Sequence, residues 1–198
     1  MTEEKEKIKE KKLEDIKKEA EGKKCPVQKA LYFVDEFLAG PMCGRCFPCS
    51  FGSYEARIRL RNLSEGAGSE VDVLRLKRIA ENMLEASMCK KGKDTAKFIM
   101  DYIDTEAFRG HLAGVCPERE CHSLIKYVIL PEKCTMCGIC LDACKDNAII
   151  GEKRKSYLSG YQPYEIAEKR CTKCGDCIKV CPFKAIEIIT EKEAVQAV

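Results

Sequence analysis

With 198 residues, 35 basic and 32 acidic side chains, the chain carries a formal net charge of +3, too slight to mark a nucleic acid or an anionic membrane surface as its partner. It has no apolar run long enough to span a bilayer, and the stretch from Met1 to Lys24 is rich in Glu and Lys without the apolar core of an export signal. Fifteen cysteines would frame a disulfide scaffold in a secreted protein, but here they read as metal ligands in a reducing, cytoplasmic setting. The cysteine pattern differs between the two halves, which favours two small modules over one domain.

Residues 1 to 24 hold nine lysines and eight acids around a thin apolar stripe of Ile8, Leu13, Ile16 and Ala20. This pattern reads as a solvated helix or a frayed tail, or else as a clamp around a partner subunit. Cys25-Pro26 opens a stronger helix, because proline is tolerated at a first helical position and Val27, Leu31, Val34 and Leu38 recur at helical spacing. Gly40-Pro41 ends it. Next come Cys43, Cys46 and Cys49 in a C-x2-C-x2-C run, whose three thiolates leave one corner of a four-iron cubane open. Helical periods follow over Tyr54 to Leu63, over Val71 to Ser87 with Val71, Leu74, Ile79 and Leu84 as apolar positions, and over Thr95 to Ile103. Gly66-Ala67-Gly68 lacks the preceding strand and the third glycine of a dinucleotide-binding turn, so it reads as a loop. Cys89 sits between two of these helices, well beyond Cys49 in the chain, where a bundle can fold its turn back over the first cysteine loop.

The second half contains an internal repeat. Cys134, Cys137, Cys140 and Cys144 form a C-x2-C-x2-C-x3-C run, and Cys171, Cys174, Cys177 and Cys181 repeat it 37 residues later, ending in Pro182. Three thiolates two residues apart on a tight loop grip three corners of one cubane, and this spacing is that of bacterial iron–sulfur ligation. Paired zinc sites would instead show separated C-x2-C knuckles.

On these residues, positions 124 to 190 resemble the two-cluster bacterial ferredoxins. The resemblance implies that the last cysteine of each run crosses to the other cluster. Cys134, Cys137, Cys140 and Cys181 then hold one [4Fe–4S] cluster, and Cys171, Cys174, Cys177 and Cys144 the other. Lys145 departs from the proline usual in that family.

Residues 41 to 123 resemble the iron–sulfur helical domain at the C-terminal end of the flavin subunit of NADH dehydrogenases and electron-bifurcating hydrogenases. Cys43-Gly44-Arg45-Cys46-Phe47-Pro48-Cys49 carries the family's motif, and the resemblance implies that Cys89 completes that cluster. A ferredoxin following this domain is also the order seen in the bifurcating hydrogenases. The family's large flavin- and NADH-binding domain has no counterpart in the short stretch before the motif, so neither flavin nor NAD is expected. Stand-alone relays of this kind look like the small electron-transfer subunits that accompany tungsten enzymes, including class II benzoyl-CoA reductase.

Twelve ligands leave three cysteines over, Cys25, Cys116 and Cys121. The last two lie between His111 and His122, without a C-x2-C grip. Zinc accepts mixed thiolate and imidazole ligands, so His111, Cys116 and Cys121 form a candidate site with a fourth ligand from Cys25 or His122, one that would fix the orientation of the two modules. The other reading is a hydrogen-bonded histidine beside two buried thiols.

The expected architecture is α+β. A charged helix or tail at 1–24 precedes a helical bundle at 25–123 holding one cluster, a two-cluster ferredoxin-like domain with short strands at 124–190, and a tail at 191–198. The expected function is an electron-transfer subunit of an anaerobic oxidoreductase complex, passing single electrons through three [4Fe–4S] clusters to or from a larger catalytic subunit of tungsten, flavin or hydrogenase type, with soluble ferredoxin or a flavin subunit as a further partner. Arg45, Lys90 and Lys91 read either as a docking patch for an acidic partner or as a solvated face. No catalytic residue is expected, since the two histidines stand in no acid–base or nucleophile pattern. The alternative is an enzyme whose incompletely ligated cluster acts as a Lewis acid.

Overall fold

The computed structural model describes residues 11–152 and 163–190, so Ile8 and the 191–198 tail lie outside the described residues. The chain divides into two compact units, Met1–Ser123 and Leu124–Val198. The architecture is α+β, with a helical first unit and a ferredoxin-like second unit of short strands.

In the first unit, α1 (Leu13–Glu21) turns Ile16 and Ala20 inward, and both are fully buried. They pack with Phe33 of α2 (Pro26–Ala39) and Phe98 of α5 (Lys90–Ile103), whose rings stack at 4.2 Å. Ile16 and Ala20 of the thin stripe are thus covered by the chain's own helices. Helix α2 starts on Pro26 and buries Val27, Ala30, Phe33, Val34 and Phe37, a wider face than its aliphatic residues alone suggest.

Helix α3 (Phe47–Ser64) begins well before Tyr54, because Pro48 presets the backbone of its first turn and the cysteine loop runs directly into it. Helix α4 (Glu70–Ala86) corrects the expected apolar positions. Leu76, Ala80 and Met83 are its buried apolar side chains, at steps of four and three, whereas Val71, Leu74 and Leu84 are exposed. Close packing against α3 occurs at Gly52, where a Cβ atom would stand 2.6 Å from Met83 Cγ. Helix α5 likewise starts at Lys90 instead of Thr95, with Cys89 as its N-terminal flanking residue.

The start of α4 is held by a reciprocal cap. Ser69 Oγ accepts from the Asp72 backbone N–H at 3.3 Å, and Asp72 Oδ2 accepts from the Ser69 N–H at 3.0 Å. Arg59 adds an ion pair to Asp72 at 3.0 Å. The bond from Ser69, aided by Arg59, holds the Asp72 carboxyl below the usual carboxylate range. The stabilisation from this group is therefore complete at neutral pH, above the unfolded carboxylate value, and is lost as pH falls through the depressed folded value. Ser69→Ala is expected to destabilise the helical unit by about 1 kcal/mol, read as a lower denaturant midpoint at unchanged slope.

After α5, the short helix α6 (Glu106–Gly110) is capped by Thr105, and a 3-10 turn at His111–Ala113 closes on Gly114, whose φ of 70° favours glycine.

The second unit is built on the 37-residue repeat. Strand β1 (Ile125–Ile129) pairs antiparallel with β4 (Ile186–Thr190), Ile125 opposite Thr190, and β2 (Ile149–Ile150) pairs antiparallel with β3 (Glu165–Ile166). Two five-residue helices, α7 (Ile139–Ala143) and α8 (Asp176–Val180), occupy equivalent places. Each is preceded by a left-handed glycine, Gly138 at φ 84° and Gly175 at φ 79°. Two residues before each glycine, Met136 and Lys173 take φ 56° and 58°, so both cysteine loops curl in the same way. The core between the halves comprises Ile129, Cys140, Ile149, Tyr164, Cys177 and Ile186.

Candidate metal centres

In the second unit the two curled loops turn their thiols into two separate cavities. One is lined by Cys134, Cys137, Cys140 and Cys181, the other by Cys171, Cys174, Cys177 and Cys144. The fourth thiol of each cavity comes from the other run, because Cys144 and Cys181 stand just past the ends of α7 and α8 and face the partner loop. Each crossing sulfur is fixed in the same manner: the Ala148 N–H donates to Cys144 Sγ at 3.3 Å, and the Ala185 N–H to Cys181 Sγ at 3.4 Å. Such bonds stabilise the more negative form of whatever the sulfurs hold. Burial, and then the neighbouring Cys171, push the Cys177 thiol up to about 11, and burial raises Cys140 as well. A bound cation reverses this, since a coordinating thiol is deprotonated outright. Lys145 is exposed, and its charge acts on Asp176 of α8.

In the first unit, Cys46 and Cys49 are buried at the start of α3, and Cys43 is exposed on the loop before it. The turn carrying Cys89 closes over this loop. The Met88 backbone N–H donates to Cys46 and draws its thiol toward the thiolate, while Cys49 is pushed up to about 11 by burial and by the charges of Cys46, Cys89 and Cys43 around it. Gly92 makes the approach possible, for a Cβ there would lie 3.0 Å from Cys49 Sγ and 2.8 Å from Ser87 Oγ. The Ser87 hydroxyl is buried without a hydrogen-bond partner among the described residues. Four converging soft donors beside an unsatisfied hydroxyl fit an iron–sulfur cluster, which accepts both thiolates and hydrogen bonds.

A further constellation joins Cys25, His111, Cys116 and Cys121, whose donor atoms all lie within 4.8 Å of one another and whose side chains are fully buried. Cys25 Sγ is 3.3 Å from His111 Nε2 and 3.7 Å from Cys121 Sγ, and His111 Nε2 is 3.3 Å from Cys121 Sγ. A zinc tetrahedron with ~2.3 Å arms to sulfur has S···S edges of about 3.8 Å, so these distances fit. His111 Nδ1 donates to the Ala107 carbonyl at 2.8 Å, which turns Nε2 toward the sulfurs. Burial opposes a charged His111, but contacts to Cys116 and Cys25 override it and push the imidazole up to about 10. Hydrogen bonds from Cys121 and Cys25 draw Cys116 toward the thiolate, and Cys121 is correspondingly held as the thiol.

The fourth member is Cys25, and His122 is exposed. All four residues belong to the first unit, so they tie the start of α2 to the 111–121 segment and do not bridge two modules. Sequence reasoning missed the groups that hold them in place. Glu120 Oε2 accepts from the backbone N–H of Lys24 at 2.9 Å and of Cys25 at 2.7 Å, and Gln28 Nε2 donates to Cys121 Sγ at 3.4 Å. Nothing in the sequence marks Gln28, whereas Glu120 stands directly before Cys121. Also missed was the aromatic pair Tyr127 and Tyr164, each lining one thiol cavity and spaced by the same 37 residues as the cysteines. The repeat itself was the signal that would have found them.

Elsewhere, Gly66-Ala67-Gly68 joins helix α3 to helix α4, not a strand to a helix, which removes it as a dinucleotide turn. No helix among the described residues is long and apolar enough to cross a membrane.

These loops define an iron–sulfur protein of the 4Fe–4S class. Within that class, residues 29–111 match the NADH-ubiquinone oxidoreductase-F iron–sulfur binding region, and residues 126–185 match the 4Fe-4S dicluster domain. The chain is 34% identical over 136 residues to the NADP-reducing hydrogenase subunit HndC of Solidesulfovibrio fructosivorans, covering 67% of this chain and 28% of that protein. It is 35% identical over 88 residues to the NADP(+)-dependent formate dehydrogenase subunit beta of Moorella thermoacetica, covering 42% and 12%. It is 34% identical over 85 residues to the F-type subunit of the NADH-quinone oxidoreductase of Streptomyces coelicolor, covering 41% and 19%. The chain thus spans under a third of the length of each of these relatives, all of them oxidoreductase subunits.

Proposed function

We propose that this chain is an electron-relay subunit of an oxidoreductase complex, holding three [4Fe–4S] clusters and one structural zinc. The clusters are assigned to Cys43, Cys46, Cys49 and Cys89; to Cys134, Cys137, Cys140 and Cys181; and to Cys171, Cys174, Cys177 and Cys144. The zinc is assigned to Cys25, His111, Cys116 and Cys121. The observation that carries this reading is the gathering of twelve thiols into three groups of four, two of them by exchange of a cysteine between repeats. A [4Fe–4S] cluster supplies one-electron exchange with little change of geometry. The protein's share is to hold the thiols, donate hydrogen bonds to them and keep water from the buried members.

The partner we propose is a larger catalytic subunit, in a cytoplasm low in oxygen. Phe47, Phe51, Tyr54 and Ile58 stand exposed along α3 directly after the first cysteine loop, with Met88 85% exposed beside Cys89. An apolar strip of this kind next to a redox centre suits a covered surface. The competing reading, a catalytic cluster with an open iron corner, needs Cys89 to stay away from the Cys43 loop, and its place beside Cys49 weighs against it.

Anaerobic titration of the purified chain tests the proposal. We expect about three electrons taken up per chain, about twelve irons, exchange with artificial dyes and no oxidation of NADH. Stoichiometric flavin or NADH oxidation by the isolated chain would overturn the relay reading. Co-purification of the native complex identifies the catalytic subunit.

A further inference from the structure

The repeat makes the two ferredoxin-like halves nearly equivalent, and one side chain breaks the equivalence. Tyr127 and Tyr164 occupy matching places, each lining one of the two thiol cavities. The Tyr127 hydroxyl donates to the Lys173 carbonyl at 3.1 Å. The matching acceptor for Tyr164 would be the carbonyl of Met136, 37 residues before Lys173, and the Tyr164 hydroxyl makes no such bond. Tyr164 is only 2% exposed, and its hydroxyl is buried with no hydrogen-bond partner among the described residues. The ring lies against Gly151, where a Cβ would fall 2.5 Å from Tyr164 Cδ1. An unpaired buried hydroxyl is costly, which calls for an acceptor that the polypeptide does not supply.

We infer that the Tyr164 hydroxyl donates a hydrogen bond to the sulfur of the cluster held by Cys134, Cys137, Cys140 and Cys181, and so makes that cluster the more easily reduced of the two in this unit. Tyr164 lines the same cavity as Cys134, Cys137, Cys140 and Cys181 and shares one packed core with Cys140 and Cys134, so these are the sulfurs beside it. The direction of the effect follows from charge. Reduction adds one negative charge to the cluster, the acceptor sulfur becomes more basic, and a donor stabilises the reduced form more than the oxidised one. Tyr127 cannot do the same while its proton is committed to Lys173. An electron entering this unit would therefore settle first on the Cys134 side.

The inference rests on the ligand assignment above, and the test separates the two. Tyr164→Phe in the full chain removes the hydroxyl and keeps the ring. Iron content is measured first, then the midpoint potentials by redox titration followed by electron paramagnetic resonance. With full iron loading, one potential is expected to fall by about fivefold in the reduced-to-oxidised ratio, which at 59 mV per tenfold is about 40 mV, while the others hold. Tyr127→Phe is expected to leave that potential in place. To guard against a disturbed fold in the variant, a second measurement uses the unsubstituted sequence grown with ring-fluorinated tyrosine, whose more acidic hydroxyl should raise the same potential. Full iron with no shift in either experiment overturns the role of Tyr164. Loss of the Cys134-side iron from the unsubstituted chain overturns the ligand assignment and the inference with it.

Discussion

Cys89→Ala is expected to leave the chain with about eleven irons, or with about eight if the whole centre is lost, against the about twelve expected of the unsubstituted protein. The first outcome is a three-iron centre with its own paramagnetic resonance signal. The expectation follows from the way the Ser87–Cys89 turn lies on the Cys43 loop: the Met88 N–H already bonds Cys46, and the charge of Cys89 already acts on Cys49. No other cysteine of the helical unit is available, since the remaining three gather around His111. The same variant should leave the two ferredoxin-like centres untouched, because their eight thiols belong to the other unit. Unchanged iron and spectra would exclude Cys89 as a ligand.

The second large effect is expected at the His111 cluster. Metal analysis of a washed, iron-loaded sample should find about one zinc per chain, and Cys121→Ser should release it. Structural zinc contributes about 10–16 kcal/mol of binding free energy in small folded domains, so losing one thiolate is expected to destabilise the helical unit on the order of 4 kcal/mol or more. Glu120→Gln should act more weakly, since it loosens the backbone of Cys25 without removing a ligand, and about a tenfold fall in zinc affinity is expected. A zinc-free sample with unchanged denaturation would return these residues to ordinary packing.

What the sequence made legible follows the nature of the signal. Ligand spacing is a local, nearly covalent constraint, so Cys134 to Cys144 and its repeat were readable from position alone. The place of Cys89 was readable only through a resemblance, because its contact with Cys49 depends on how α4 and α5 turn the chain back. Helix α4 misled the eye for a physical reason. Val71, Leu74 and Leu84 are larger than Ala80, but burial is decided by the face turned toward α3 and α5, and that face is Leu76, Ala80 and Met83. Glu120 and Tyr164 act through tertiary contacts to residues far away in sequence, Cys25 in one case and the Cys134 loop in the other. Glu120 leaves no periodic trace, whereas Tyr164 is marked by its 37-residue spacing from Tyr127.

The exchange of cysteines between the two repeats also sets a timetable for synthesis. As the chain leaves the ribosome, the four thiols of the helical unit are all present once Cys89 has been made, and those around His111 once Cys121 has been made. This unit can therefore mature as an independent early product, in the manner of domains that fold from the N-terminus onward. The ferredoxin-like unit comes later: the Cys171 cavity has all four of its thiols only once Cys177 has been made. The Cys134 loop waits for Cys181 at the far end of the second repeat, and β1 waits for β4, the last strand described, before either has its partner. Until then three thiols stand open toward solvent and oxygen on a nascent segment, so iron delivered to the finished chain, rather than during translation, is the route that this connectivity favours.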